Sequence, residues 1–159
     1  MHASDLILRL ARTGDAPALA GMSRDFVEGG LAWRYVPGRI AALVGDAQTT
    51  VLVAAGDAGV QGFAAMQFGD EHAHLVLMCV RPARRRQGIG RGLLAWLTES
   101  ARVAGMAAIH LELRADNDAA HAFYRTLGFA ESAVVPGYYE GRVAARRMLR
   151  RLRPPAAPQ

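Results

Sequence analysis

Glu112 and His110 stand two residues apart in Ala108 to Arg114, a segment that alternates cleanly. Ile109, Leu111 and Leu113 take one side, and His110, Glu112 and Arg114 the other, as side chains do along a strand. A carboxylate and an imidazole on one face are two candidate proton acceptors. The imidazole titrates near pH 6.5, and the carboxylate can act directly or through a water. Tyr124 offers a phenolic proton. It also shares an apolar helical stripe with Ala120, Phe123 and Leu127, where a tyrosine can simply be core. A second grouping is Arg85-Arg86-Gln87-Gly88-Ile89-Gly90-Arg91. Glycines at 88 and 90 let a backbone approach a ligand with no Cβ in the way. The N–H groups opening the helix that follows attract an anion, and the arginines add forked donors. The turn therefore suits phosphates. Leu93 stands where a dinucleotide fingerprint needs its third glycine, and no Gly-Lys-Ser/Thr ending makes a P-loop.

These residues need elements to hold them. Leu6 to Ala11 reads as a strand. Asp15 is a candidate N-cap, with Pro17 just inside a helix that runs to about Val27. Pro37 to Val44 is a second helix. Thr50 to Ala55 and Val60 to Phe68 form a hairpin around Gly56-Asp57-Ala58-Gly59. His74 to Val80 is a buried strand by its apolar character. It leads through the basic turn into a helix from about Gly90 to Ala104, with Leu93, Leu94, Leu97 and Ala101 at helical spacing. After Ala108 to Arg114, Asn117 or Asp116 caps another helix that Gly128 ends. Phe129 to Val135 and Val143 to Leu152 close the order as strands, although the last segment also fits a helix. The result, β-α-α-β-β-β-α-β-α-β-β, is an α/β chain with a mixed sheet and helices on its faces.

Composition sets the bounds. The 159 residues suit one domain over 1–153, with a loose Pro-rich tail over 154–159. Apolar residues make up 52% of the chain, enough for a real core. Leu75 to Val80, the longest strongly apolar run, is too short to span a bilayer. The opening Met1-His2-Ala3-Ser4-Asp5 lacks a signal-peptide pattern, so the expected setting is the cytoplasm, away from membranes. Cys79 is the only cysteine, which excludes an internal disulfide and a multi-thiolate metal site. Lying in the apolar run, it reads as a buried, inert thiol, and no metal is expected. All 19 basic residues are arginine and the net charge is +5. The cluster Arg142, Arg146, Arg147, Arg150, Arg151 and Arg153 could meet a polyanion. It lacks interleaved aromatics or a helix-turn-helix, which weighs against a nucleic-acid partner.

The turn and the segments after it resemble a known family. Arg85-x-x-Gly88-x-Gly90 is similar to the Q/R-x-x-G-x-G/A signature of GNAT acetyltransferases. Leu111-Glu112-Leu113-Arg114-Ala115-Asp116-Asn117, then Ala119 to Tyr124, then Leu127-Gly128-Phe129 is similar to a run found near the ribosomal-protein-alanine N-acetyltransferases. The similarity covers about Leu75 to Phe129.

That resemblance implies a GNAT fold, with a mostly antiparallel sheet splayed between its fourth and fifth strands and about four helices. It implies acetyl transfer from acetyl-CoA to a primary amine in a ternary complex, with coenzyme A as product. Met78, Cys79 and Val80 correspond to the strand backbone that pairs with pantetheine, and Arg85 to Arg91, with Arg86, Gln87, Gly88, Ile89 and Gly90 between, to the pyrophosphate loop. Asn117 corresponds to a cofactor contact, Glu112 to the general base and Tyr124 to the general acid. The acceptor would be gripped by the loop holding Glu28, Trp33 and Tyr35 and by the final strand pair at Tyr138 and Tyr139. A protein N-terminus and a small amine both fit, and a homodimer is compatible with the family. The alternatives are an acyl-CoA sensor of the same fold without catalysis, or a basic nucleic-acid-associated protein.

Overall fold

The computed structural model describes residues 5–153. The expected signal-free N-terminus and loose tail fall largely or wholly outside that range. The elements are β1 (Ile7–Leu10), α1 (Ala16–Phe26), α2 (Pro37–Gly45), β2 (Thr49–Gly56), β3 (Gly59–Phe68), β4 (His72–Val80), α3 (Ile89–Val103), β5 (Ala108–Arg114), α4 (Asp118–Thr126), β6 (Ala130–Tyr139) and β7 (Val143–Arg151). Short 3-10 turns cover Thr13–Asp15 and Pro82–Arg84. This order is the one the sequence predicts. Hydrogen bonding arranges the strands as β1-β2-β3-β4-β5-β7-β6.

Two compact units are distinguishable. The first holds the chain up to Gln67 together with Leu75–Leu97. Its strands β1, β2 and β3 pair antiparallel, with Gly56 opposite Gly59 across the hairpin. Gly59 has φ +92°, a conformation that costs glycine nothing. Leu19, Met22, Ile40, Val53, Phe63 and Leu77 share its core cluster with Cys79. Each apolar side chain of this size contributes about 1.5–3 kcal/mol when fully buried. Asp15 does occupy the N-cap position of α1, but its carboxylate caps nothing there. It turns back to accept from the Arg9 guanidinium at 2.8 Å and from the Arg12 N–H at 2.8 Å. A charged partner within reach outcompetes the neutral helix amides.

The second unit holds Phe68–His74 and the chain from Thr98 onward. Here β4 runs parallel to β5 through three pairs, His72 with Ala108, Ala73 with Ile109 and His74 with His110. These three pairs, from His72 to His74, are the register between the two strands. The segment left open between helix and strand is strand β7. Its buried residues Ala145 and Met148 are three apart, which is why a helix also fitted the sequence. Antiparallel pairing with β5 on one side and β6 on the other decides for the strand. β6 also runs past its expected end at Val135. Gly137, at φ +64°, absorbs a register shift between Val135 and Tyr139, so pairing resumes after Pro136.

Candidate active site

Glu112 is the centre of a polar cluster on one face of the second unit. The alternation of β5 puts Glu112 beside His110, and the parallel register puts His74 opposite His110. The antiparallel register with β7 puts Arg147 opposite Glu112. His74 Nε2 lies 3.1 Å from Glu112 Oε1, and the Tyr138 hydroxyl donates to the same oxygen at 3.2 Å. Arg147 Nε stands 3.7 Å from Oε2, which has no hydrogen bond of its own. The Glu112 side chain is only 7% exposed, against 30% for His74. Burial alone would raise the Glu112 carboxyl pKa. The His74 hydrogen bond and the charges of His74, His110 and Arg147 outweigh it and hold the pKa below its usual value. His110 is shifted the same way, by burial and by the charge of His74, with Glu112 opposing. It therefore gives up its proton more readily than a free imidazole, and its Nδ1 is buried without a hydrogen bond.

His74, His110 and Glu112 each offer a ligand-type atom within 4.8 Å of the others. Their rings do not suit a shared metal. The two imidazoles stack with planes 7° apart and centroids 4.4 Å apart. In-plane lone pairs of two parallel rings cannot converge on one ion.

Tyr124 is buried on α4, edge-on to Phe123 at 5.2 Å and Phe129 at 5.7 Å. Burial, with Tyr139 nearby, pushes its phenol pKa well up, so it keeps its proton throughout the neutral range. Asn117 caps α4 through its side-chain oxygen, which accepts from the Ala120 N–H at 3.1 Å. His121, on the same helix, has a buried Nε2 with no hydrogen bond.

The basic turn lies in the first unit. Arg81 Nε donates to the Val60 carbonyl at 2.9 Å, and Arg84 donates to Gln87 Oε1 at 2.9 Å and pairs with Asp5 at 2.8 Å. Arg85, Arg86, Gly88 and Arg91 are exposed, while Ile89 is buried. Arg86 has φ +62° and Gly88 φ +83°, so the chain kinks twice before the first amides of α3. Those amides are the unsatisfied donors of a helix start. Gly62 is packed beneath them: a Cβ there would meet Ile89 Cγ2 at 2.9 Å and the Cys79 carbonyl at 3.3 Å. Cys79 is buried, its thiol pushed up to about 11 by desolvation despite Arg85 and Arg81. Met78 and Val80 flank it, half-buried.

The expected acceptor loop is more self-contained than its sequence suggests. Glu28 is buried and accepts from the Ser23 hydroxyl at 2.9 Å, the Arg34 N–H at 2.8 Å and the Tyr35 N–H at 3.3 Å. Arg24 lies over Trp33 at 5.2 Å and Arg39 over Tyr35 at 4.6 Å. Both rings thus already hold a guanidinium on one face. Tyr138 and Tyr139 stack edge-on at 4.9 Å. The C-terminal arginines are partly engaged as well, since Arg146 donates to the Ala115 carbonyl at 3.0 Å and pairs with Glu131.

Residues 23–129 match the Acetyltransferase (GNAT) family. The chain belongs to the GNAT acetyltransferase family. A [ribosomal protein bS18]-alanine N-acetyltransferase of Escherichia coli K12 is 42% identical to this GNAT chain over 77 residues, 48% of this chain and 52% of that protein. The match therefore spans about half the length of that relative. Streptothricin acetyltransferase of Streptomyces lavendulae is 30% identical over 169 aligned positions, covering 88% of this chain and 89% of that one. The crystal structure of the ribosomal-protein-S18-alanine N-acetyltransferase from Escherichia coli superposes with a TM-score of 0.82 at 27% identity, over 97% of this chain and 98% of that one. In this GNAT fold no described helix is long and apolar enough to cross a membrane. The residue that sequence reasoning missed is His74. It closes the strand-start pattern His72-x-His74, but only the β4–β5 register shows that it faces Glu112.

Proposed function

We propose that this GNAT chain moves the acetyl group of acetyl-CoA to a primary amine by direct attack, with coenzyme A as the other product. The observation that carries the reading is Glu112. It is a buried carboxylate kept ionised by its neighbours, at the position where the family resemblance expects the group that handles the amine proton. An ammonium has no lone pair, so deprotonation must come before attack.

In this reading the turn from Arg85 to Arg91 holds the pyrophosphate through backbone N–H groups and guanidinium charge. The backbone of Met78, Cys79 and Val80 pairs with pantetheine as an added strand, and a Val80-side N–H receives the oxyanion. Asn117 contacts the cofactor. Tyr124, still protonated at neutral pH, gives its proton to the departing thiolate. Cys79 forms no covalent intermediate, because a thiol with a pKa of about 11 is a poor nucleophile near neutrality. The acceptor is a protein N-terminus or a small amine. One similar protein is named for a ribosomal-protein alanine and another for streptothricin. Tyr138 and Tyr139 are the acceptor contacts this reading favours over Glu28, which is already saturated by its own loop. The setting is the cytoplasm.

The test is calorimetry of the purified chain with acetyl-CoA, followed by thiol release over a panel holding an Ala-starting peptide, streptothricin and simple diamines. Saturable binding with amine-dependent thiol release is expected. Binding without release from any amine would favour a sensor, and no binding would overturn the reading.

A further inference from the structure

We propose that His74 is the atom-level proton acceptor of this site, with Nδ1 as the base and Glu112 as the carboxylate that orients it. The inference rests on the acetyl-transfer reading above and refines who takes the amine proton. Three observations lead to it. The Nε2 to Oε1 separation is 3.1 Å, and an ionised carboxylate offers only acceptors, so the shared proton belongs to Nε2. That fixes the neutral tautomer and leaves the lone pair on Nδ1. His74 Nδ1 makes no hydrogen bond to any described residue. Finally, exposure runs the wrong way for Glu112 itself to meet a substrate. The carboxylate is 7% exposed, whereas the imidazole above it is 30% exposed.

Among the described residues, polar groups on four strands surround the pair. On β5, His110 stacks on His74 at 4.4 Å, which holds the ring plane, and Glu112 accepts from it. On β7, Arg147 sits over Oε2 at 3.7 Å, and on β6 the Tyr138 hydroxyl donates to Oε1. Both keep Glu112 ionised and stationary. On β4 itself, His72 lies 6.2 Å from His110, ring to ring, at a tilt of 55°. A buried carboxylate behind an imidazole stabilises the imidazolium once it forms without becoming protonated itself.

The proton balance is simple. The ammonium N–H bond breaks and a His74 Nδ1–H bond forms, releasing the amine lone pair. The amine nitrogen then bonds to the thioester carbonyl carbon, and the C–S bond breaks. Tyr124 protonates the sulfur and is itself reprotonated by the proton leaving the new amide nitrogen. The His74 imidazolium returns its proton to water.

The experiment has two independent readouts on the full chain. Long-range 1H–15N correlation spectra of the histidine rings report the tautomer with no substrate present. The neutral His74 ring is expected as Nε2–H, and Glu112→Gln is expected to abolish that preference. A wild-type ring found as Nδ1–H overturns the proposal. The second readout is thiol release with the acceptor identified above. His74→Ala and His74→Gln are expected to lower kcat/KM by about 10²- to 10⁴-fold with acetyl-CoA affinity intact. Added imidazoles should restore the His74→Ala rate in step with their pKa values. A loss under about threefold, or a rescue indifferent to pKa, overturns the proposal. Absence of acetyl-CoA binding by the wild type would instead sink the acetyl-transfer reading, while the tautomer measurement still decides the dyad.

Discussion

Single residues carry most of the chemistry and can be tested one at a time. Glu112→Gln keeps the shape and removes the charge, so His74 loses the partner that fixes its tautomer. The expected outcome is a fall in kcat/KM of about 10²- to 10⁴-fold with little change in acetyl-CoA affinity, read by thiol release and calorimetry. Cys79 tests the opposite property. With its pKa near 11, roughly one thiol in a thousand is ionised at pH 8. Ellman's reagent should leave the folded protein unlabelled over minutes and label it at once in denaturant. At this scale the sequence is legible wherever one strand or helix suffices. Alternation alone places Glu112 and His110 on one face, and an apolar run alone buries Cys79. The place of His74 beside Glu112 is not legible, because it depends on which residue of another strand lies opposite. Neither is the engagement of Glu112 Oε1 by His74 and Tyr138, or of Glu28 by its own loop, because those partners lie several residues or several strands away.

Elements decide whether those residues stay in place. The basic turn depends on glycine at two positions for different reasons. At Gly88 the backbone is left-handed, with open space where a Cβ would go. Gly88→Ala should therefore cost about 1–2 kcal/mol through backbone strain alone. At Gly62 the strain is steric: Gly62→Ala drives a methyl into Ile89 and the Cys79 carbonyl. Overpacking of that kind costs about 1–3 kcal/mol and tilts the start of α3. Both variants should bind acetyl-CoA more weakly, as measured by calorimetry, with Gly62→Ala acting although it lies a strand away from the turn. The element order was readable from hydrophobic period and turn residues. Strand β7 is ambiguous in sequence because its buried positions are three apart, and β6 runs past Val135 because Gly137 accommodates a register shift. In both cases pairing partners, absent from a local window, supplied the answer.

At the scale of the whole molecule, the buried titrating groups set a common direction for acid sensitivity. The folded pKa of His110 lies below its usual 6.5, so beneath that value the unfolded chain holds a proton the folded chain lacks. Stability is complete above pH 6.5 and declines as the pH falls toward the lowered value. Glu112 is also lowered, from a usual 4.5. Its contribution is complete above pH 4.5 and is lost as the pH drops through its folded pKa. Melting temperature should thus fall in two overlapping stages between pH 7 and pH 3. His110→Gln should flatten the upper stage and Glu112→Gln the lower, as followed by scanning calorimetry. The Tyr138 hydroxyl that binds Glu112 belongs to the same strand pair expected to hold the incoming amine. In the proposed reaction, gripping and activating are therefore mechanically joined. A poorly fitting acceptor that drags Tyr138 aside would loosen the imidazole–carboxylate couple behind it, so discrimination between acceptors would register as slower turnover instead of weaker capture.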